Sequence, residues 1–285
     1  MGIGPVTPPG AMPPERRGRA SMTVQKVAGQ SAVVSALARD PLKLLTPVSR
    51  GPAVWACLSS FGGGMVAGDQ TELDLDLREG TTCYVGTQAS TKVYRNPHGR
   101  ACGHTTRATV GEGSCLVFAP DVVQAFSDSR YEQTQSFDLT PTSDLVLVDW
   151  LNAGRSECGE HWAFRRFVSR NEIRVAGKRR VVDALILDPD SGTLAGPSRL
   201  GSWRCLAMVA LVGPGLAELT ASIAAEVQSL PVQRSSELIL SASLVREGLL
   251  LRIAGHSVER VRLEWQRLLQ PLASRLGDAP WNRKG

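Results

Sequence analysis

The sequence predicts a mainly β protein of the α+β kind: layered β-sheets of many short strands, with two amphipathic helices in the C-terminal third. Three observations predict it. At 71–77 the residues Leu73, Leu75 and Leu77 alternate with Glu72, Asp74 and Asp76, a period of two that puts leucine on a core face and carboxylate in solvent. Short runs rich in apolar and β-branched residues then recur, separated by turn residues. Near the C-terminus the apolar spacing changes to three and four, the helical period.

Residues 1–22 are rich in Pro, Gly and Arg and lack a period, so they read as a disordered or loosely ordered arm. β texture starts at Thr23, and 23–285 reads as a single domain. Strands are expected at 53–59, 71–77, 81–86, 104–110, 115–118, 133–139, 145–150, 163–175 and 181–187. Turns fall at Arg78-Glu79-Gly80, Gly111-Glu112-Gly113, Thr140-Pro141, Ala176-Gly177 and Asp188-Pro189-Asp190. Leu216, Leu219, Ile223, Val227 and Leu230 mark one helix, stopped by Pro231. Val258, Val261, Trp265, Leu268 and Leu272 mark the other, with Ser257 as its N-cap and Pro271 kinking or ending its last turn. Between the helices, 237–245 and 249–254 read as a hairpin around Arg246-Glu247-Gly248.

Composition narrows the function. The chain has 285 residues, with Lys+Arg 32 against Asp+Glu 27, a net charge of +5. Such a chain buries a core without disulfide staples. Its apolar runs, such as 205–212, are far shorter than the roughly 20 residues that cross a bilayer, so no membrane span is expected. Basic tracts occur at Arg16, Arg17 and Arg19 and at Lys178, Arg179 and Arg180, but the aromatics that would stack on bases are scattered, and no nucleic-acid role is expected. The six cysteines form no C-x-x-C pair and no export signal precedes them, so free thiols in a cytoplasmic protein are expected.

Several motifs fail on context. The glycine-rich stretch at 61–68 lacks the Lys-Ser or Lys-Thr of a phosphate loop, and a strand follows it where a dinucleotide site needs a helix. Its glycines read instead as a tight connection with positive φ. His98, Cys102 and His104 match no structural zinc spacing and read as incidental polar residues of a surface loop. No Gly-x-Ser-x-Gly elbow exists among the residues, and nothing points to a nucleophilic triad.

A set of segments in fixed order carries more information. Gly62-Gly63-Gly64-Met65-Val66-Ala67-Gly68-Asp69 precedes the acidic-alternating strand. Thr87-Gln88-Ala89-Ser90-Thr91-Lys92-Val93-Tyr94-Arg95 follows it. Further on come Pro120-Asp121 with Phe126 and Tyr131, then Asp149-Trp150-Leu151 with Gly154-Arg155. Gly159-Glu160-His161-Trp162-Ala163-Phe164 and a Pro280-Trp281-Asn282 tail complete the set. Together these resemble the urease accessory protein family UreD (also called UreH), from about residue 25 to the C-terminus.

The resemblance implies a non-catalytic chaperone that binds apo-urease and the helical partner UreF, which brings the GTPase UreG and permits a dimeric assembly. It implies no permanently bound cofactor and a transient Ni²⁺ cargo, moved through a polar, water-filled passage toward the urease site. Thiol and imidazole cages grip nickel tightly, whereas isolated carboxylates, hydroxyls and waters release it. The candidate passage acids are Asp69, Asp149, Glu160 and Asp183, with Thr87, Gln88, Thr91 and Lys92 as polar lining. Each has a structural counter-reading. Asp69, with no neighbouring cation in sequence, is equally a turn cap. Asp149 ends the apolar run 145–148, where a carboxylate needs a partner, a water channel or an ion. Asp183 likewise interrupts an apolar strand. Glu160 is as well explained by a pair with Arg155 or Arg165, and Lys92 as a counter-ion to local acids. The competing function is a β-sandwich or β-solenoid carbohydrate hydrolase, which needs two carboxylates facing across a cleft about 5 to 10 Å apart. A scaffold without a metal path is the third.

Overall fold

A computed structural model describes residues 16–48, 51–96, 99–233 and 236–284. The chain opens with a hairpin, β1 (Arg17–Val27) and β2 (Gln30–Arg39), in a first sheet. It crosses to a second sheet for β3 (Leu42–Leu45) and β4 (Val54–Ser60), then returns for β5 (Gln70–Leu77). It continues to wind between the sheets. The second receives β6 (Thr82–Thr87) and β7 (Thr91–Val93), the first β8 (Cys102–Val110). The second then takes β9 (Cys115–Phe118) and β10 (Val123–Ala125), the first β11 (Arg130–Leu139), and the second β12 (Asp144–Asn152). The pair β13 (Arg166–Val175) and β14 (Lys178–Leu187) completes the first sheet. The second is completed by β15 (Cys205–Val212) and, after helix α1 (Ala217–Ser229), by the hairpin β16 (Leu238–Val245) and β17 (Gly248–Gly255). Helix α2 (Val258–Leu269) follows.

This winding explains the strand directions. Each turn leaves one strand in each sheet running the same way, so β1, β5, β8, β11 and β13 are parallel neighbours, as are β4, β6, β9 and β12. Antiparallel hairpins close the outer flanks.

Three layers result. Between the sheets, Leu73, Leu75 and Leu77 of β5 meet Leu116, Leu145 and Leu147 of the second sheet. The other face of the second sheet, with Val146, Val148, Val209 and Leu211, is covered by Ile223 and Val227 of α1 and by Val261, Trp265 and Leu268 of α2. Strands β12 and β15 are thus buried on both faces, which is why both read as continuous apolar runs. A third cluster, including Val93, Tyr131, Trp162, Phe164 and Phe167, packs one end of the sandwich. Among the described residues no helix is long and apolar enough to cross a membrane.

The mainly β expectation holds, with the two helices where their spacing put them. Ser257 Oγ accepts the Arg260 N–H at 3.1 Å, an N-cap. α1 ends at Ser229, ahead of Pro231, and α2 ends at Leu269, ahead of Pro271. The glycine stretch is a strand-to-strand connection, with Gly68 at φ +82°. At Gly64 a side chain is barred by contact: a Cβ would lie 2.6 Å from the Lys92 carbonyl oxygen.

The arm is shorter than expected. β1 begins at Arg17, inside 1–22, and pairs with β5 with Ala20 and Met22 fully buried. Its alternation is carried by small residues and arginines, a weak apolar signal. Residues 1–15 of that arm lie outside the described residues. β2 carries no strand signal in the sequence because Gln30–Arg39 shows no period of two, and β15 shows only an apolar run.

Candidate functional site: a cavity between the sheets

Strand β12 presents Leu145, Leu147 and Asp149 to the inter-sheet space on alternate positions. Opposite Asp149, the first sheet offers polar side chains at positions that elsewhere hold core residues. On β11, Gln133 and Gln135 share the inward phase of Phe137 and Leu139; on β13, Ser169 and Asn171 share that of Ile173 and Val175. Gln133 Nε2 donates to Asp149 Oδ1 at 2.7 Å, and Asn171 Nδ2 and the Ser169 hydroxyl donate to Oδ2, the former at 2.8 Å. Behind this first ring, the Tyr131 hydroxyl donates to Gln133 Oε1 at 3.2 Å and Gln135 Nε2 to Asn171 Oδ1 at 2.8 Å. Burial raises the Asp149 pKa, and the three donors oppose that rise. Asp149 is surrounded by protein yet keeps accessible surface, because it opens on a cavity.

The cavity has a volume of about 110 Å³. Asp69, Thr71, Thr87, Thr91, His104, Asp121, Gln133 and Asp149 put polar groups on a wall otherwise built from apolar residues such as Leu42, Leu58, Met65, Phe118 and Val123. His104 is locked between two hydroxyls, Thr71 Oγ1 at 2.8 Å from Nδ1 and Thr106 Oγ1 at 3.0 Å from Nε2. Burial pushes its pKa down to about 4, so the ring is neutral at pH 7. A second cavity of about 230 Å³ lies on the other side of the second sheet, under α2, lined by Trp55, Tyr84, Gln88, Trp265, Gln266 and Trp281 among others. Thr87, Asp121 and Trp150 line both cavities. They form a common wall: Thr87 Oγ1 donates to Asp121 Oδ2 at 2.8 Å and accepts the Asp121 N–H at 2.8 Å, while Trp150 Nε1 donates to the Pro120 carbonyl at 2.8 Å.

Of the eight residues singled out in the sequence, Asp69, Thr87, Thr91 and Asp149 share the first cavity, and Gln88 lines the second. Three do not join them. Glu160 accepts from Arg155 and from the N–H groups of Ser127 and Arg155, and those contacts hold its carboxyl below the usual range; it is a loop clasp. Asp183 pairs with Arg252 Nη2 at 2.5 Å and ties β14 to β17 across the gap between the sheets. Lys92 makes no ion pair among the described residues, so it is not the expected counter-ion. That role belongs to Arg16, whose Nε reaches Asp69 Oδ1 at 2.8 Å and whose Nη2 reaches Oδ2 at 2.5 Å. Asp69 also accepts the Val66 N–H at 2.9 Å, so it caps the glycine turn and has both oxygens engaged.

The Gln133, Ser169, Asn171 and His104 contributions were missed in the sequence. Their signal was phase: each is a polar residue standing in the inward register of an apolar strand. Cys102, part of the rejected zinc reading, is buried and donates to the Val66 carbonyl; His104 turns inward, and His98 lies outside the described residues. All six cysteines are free. Among the described residues no three His, Cys, Asp or Glu side chains gather as a metal-holding group.

Comparison with known proteins agrees with the resemblance. The model of the family described as "UreD urease accessory protein" matches residues 16–284. A urease accessory protein UreD of Sorangium cellulosum is 42% identical over 270 residues, covering 94% of this chain and 85% of its own. One from Anaeromyxobacter is 38% identical, covering 86% and 82%, and urease accessory protein D of Arabidopsis thaliana is 31% identical, covering 91% and 98%. With one family spanning nearly every described residue of the double-sheet body and its internal cavity, this chain belongs to the UreD urease accessory proteins.

Proposed function

We propose that the chain is a non-catalytic cytoplasmic chaperone of urease maturation that binds apo-urease and UreF, with UreG joining through UreF, and lets Ni²⁺ pass through its interior without keeping it. The observation that carries this reading is the Asp149 cavity. A polar cluster inside a β-sandwich costs stability unless each group is bonded. Asp149 is bonded by neutral donors, and among the described residues it makes no ion pair that would cancel its charge. A lone carboxylate among amides and hydroxyls attracts a divalent ion weakly, which suits transfer rather than storage. The wall of Thr87, Asp121 and Trp150 is the step by which an ion would move between the two cavities. A hydrolase reading is disfavoured because each acid on the cavity wall already serves a protein donor: Asp69 holds Arg16, Asp121 holds Thr87 and Asp149 holds its three donors.

The test compares Asp149→Ala with Asp183→Ala in the complete activation complex, after confirming assembly. Asp149→Ala lowers the nickel content and activity of the urease; Asp183→Ala, off the cavity, does not. Equal activation by both variants contradicts the passage.

A further inference from the structure

We propose that Arg16 is a built-in competitor for the passing metal: it neutralises Asp69 until a divalent cation entering the first cavity displaces it. The inference rests on the passage reading and deepens it, naming the residue that keeps the hold on nickel loose. Asp69 lines the cavity and its side chain is 1% exposed, whereas that of Arg16 is 40% exposed and is not among the lining residues. The guanidinium therefore reaches the carboxylate from the solvent side, and a cavity-borne ion reaches it from the other. The two partners separate on different terms. A guanidinium half in water is rehydrated when it swings away, while a buried carboxylate left alone bears the full cost of its uncompensated charge. Asp69 thus needs a cation at all times, and a divalent ion brings twice the charge of a guanidinium to the same oxygens.

The exchange leaves the backbone in place. Arg16 precedes β1, and its carbonyl accepts the Gln70 N–H at 2.9 Å whichever way the side chain turns. Arg16 Nε donates to Asp69 Oδ1, while Arg16 Nη2 and the Val66 N–H share Oδ2. When the guanidinium leaves, Oδ2 keeps its turn cap. Oδ1, which has no other bond among the described residues, is released to the metal. Asp69 then joins Asp149 as a second charged oxygen donor on one wall. Displacing Arg16 costs part of the binding energy of the incoming ion, so the site is entered and left with ease, as transit demands. Two other arginine-held acids cannot act this way: Asp144 with Arg275 and Asp183 with Arg252 lie off the cavity wall.

Equilibrium dialysis of the purified full chain against Ni²⁺ tests the competition. Arg16→Gln binds Ni²⁺ about tenfold more tightly than wild type. Arg16→Lys, which keeps the charge but cannot grip both oxygens at once, falls between the two. Arg16→Gln combined with Asp69→Asn loses the gain. Arg19→Gln, which removes the same charge from an exposed pair with Asp74, binds as wild type. Circular dichroism checks the fold of each variant, and Arg16→Lys carries the test where Arg16→Gln does not fold. Unchanged binding in the Arg16 variants, a gain that persists with Asp69→Asn, or an equal gain in Arg19→Gln overturns the proposal. Failure of the passage itself reads differently: Arg16→Gln then binds Ni²⁺ more tightly in dialysis yet loads urease as wild type, which upholds the competition at Asp69 and contradicts the transit alone.

Discussion

A carboxylate at position 149 is costly to bury, and the buried acid Asp144 shows the usual remedy. Asp144 has Arg275 at 2.6 Å and the Gly215 N–H at 2.8 Å. Asp149 has only neutral donors, and its pKa is raised. A raised folded pKa favours the protonated acid, so its stabilising contribution is present below the ordinary value of 3.8 and is lost as pH rises through the folded value. Asp149→Asn removes that loss while keeping a side chain of the same shape. Urea denaturation across the acid-to-neutral range should therefore find the variant matching wild type at low pH and exceeding it above, with a plateau at neutrality. His104 runs the other way. Its folded pKa of about 4 lies below the ordinary 6.5, so its contribution is present above 6.5 and is lost as pH falls through 4. That loss amounts to about 3 kcal/mol, and His104→Gln, which keeps hydroxyl partners for Thr71 and Thr106, flattens this limb. Asp149 was legible because it interrupts an apolar run. Its donors were not, because a lone Gln or Ser in a strand looks like a solvent position unless its phase is compared with the leucines and phenylalanines around it.

At the scale of elements, legibility followed the contrast between the two sides of a strand. β5 alternates Leu with Asp and Glu and is legible almost to the residue, while the start of β1 sets Arg17 and Arg19 against Gly18 and Ala20 and looks like arm. Yet β1 supplies an inner strand, flanked by β2 and β5, and Arg16 just before it holds Asp69. A chain beginning at Thr23 loses the buried Ala20 and Met22 and the Asp69 clasp. Its stability should fall by several kcal/mol, of the order found for large core deletions at about 2–5 kcal/mol each. Thermal unfolding and soluble yield check this; a truncated chain as stable as the full one would show that β1 is dispensable. The helices were legible for a simpler reason: their apolar stripe of three-and-four spacing faces one layer only, whereas β15, buried on both faces, shows no period at all.

For the whole molecule, the winding of the chain between two sheets creates an interior that leucines fill at one end, while Asp149 and its neighbours leave a cavity toward the other. The family could be read from ordered segments scattered over the chain; most of them line this cavity or pack the end of the sandwich beside it, and the Pro280-Trp281 tail lines the second cavity. The route could not, since it depends on which of them meet across the sheets. On the proposed route an ion crosses the wall shared by the two cavities, and enlarging Thr87, a side chain of that wall bonded twice to Asp121, would close it. The most direct measurement is the nickel content per urease active site after activation with Thr87→Leu, in complexes shown to assemble normally. A passage through this wall requires nickel loading to fall about tenfold, the effect of roughly 1.4 kcal/mol on a rate. Loading equal to that of the wild-type chain would contradict it.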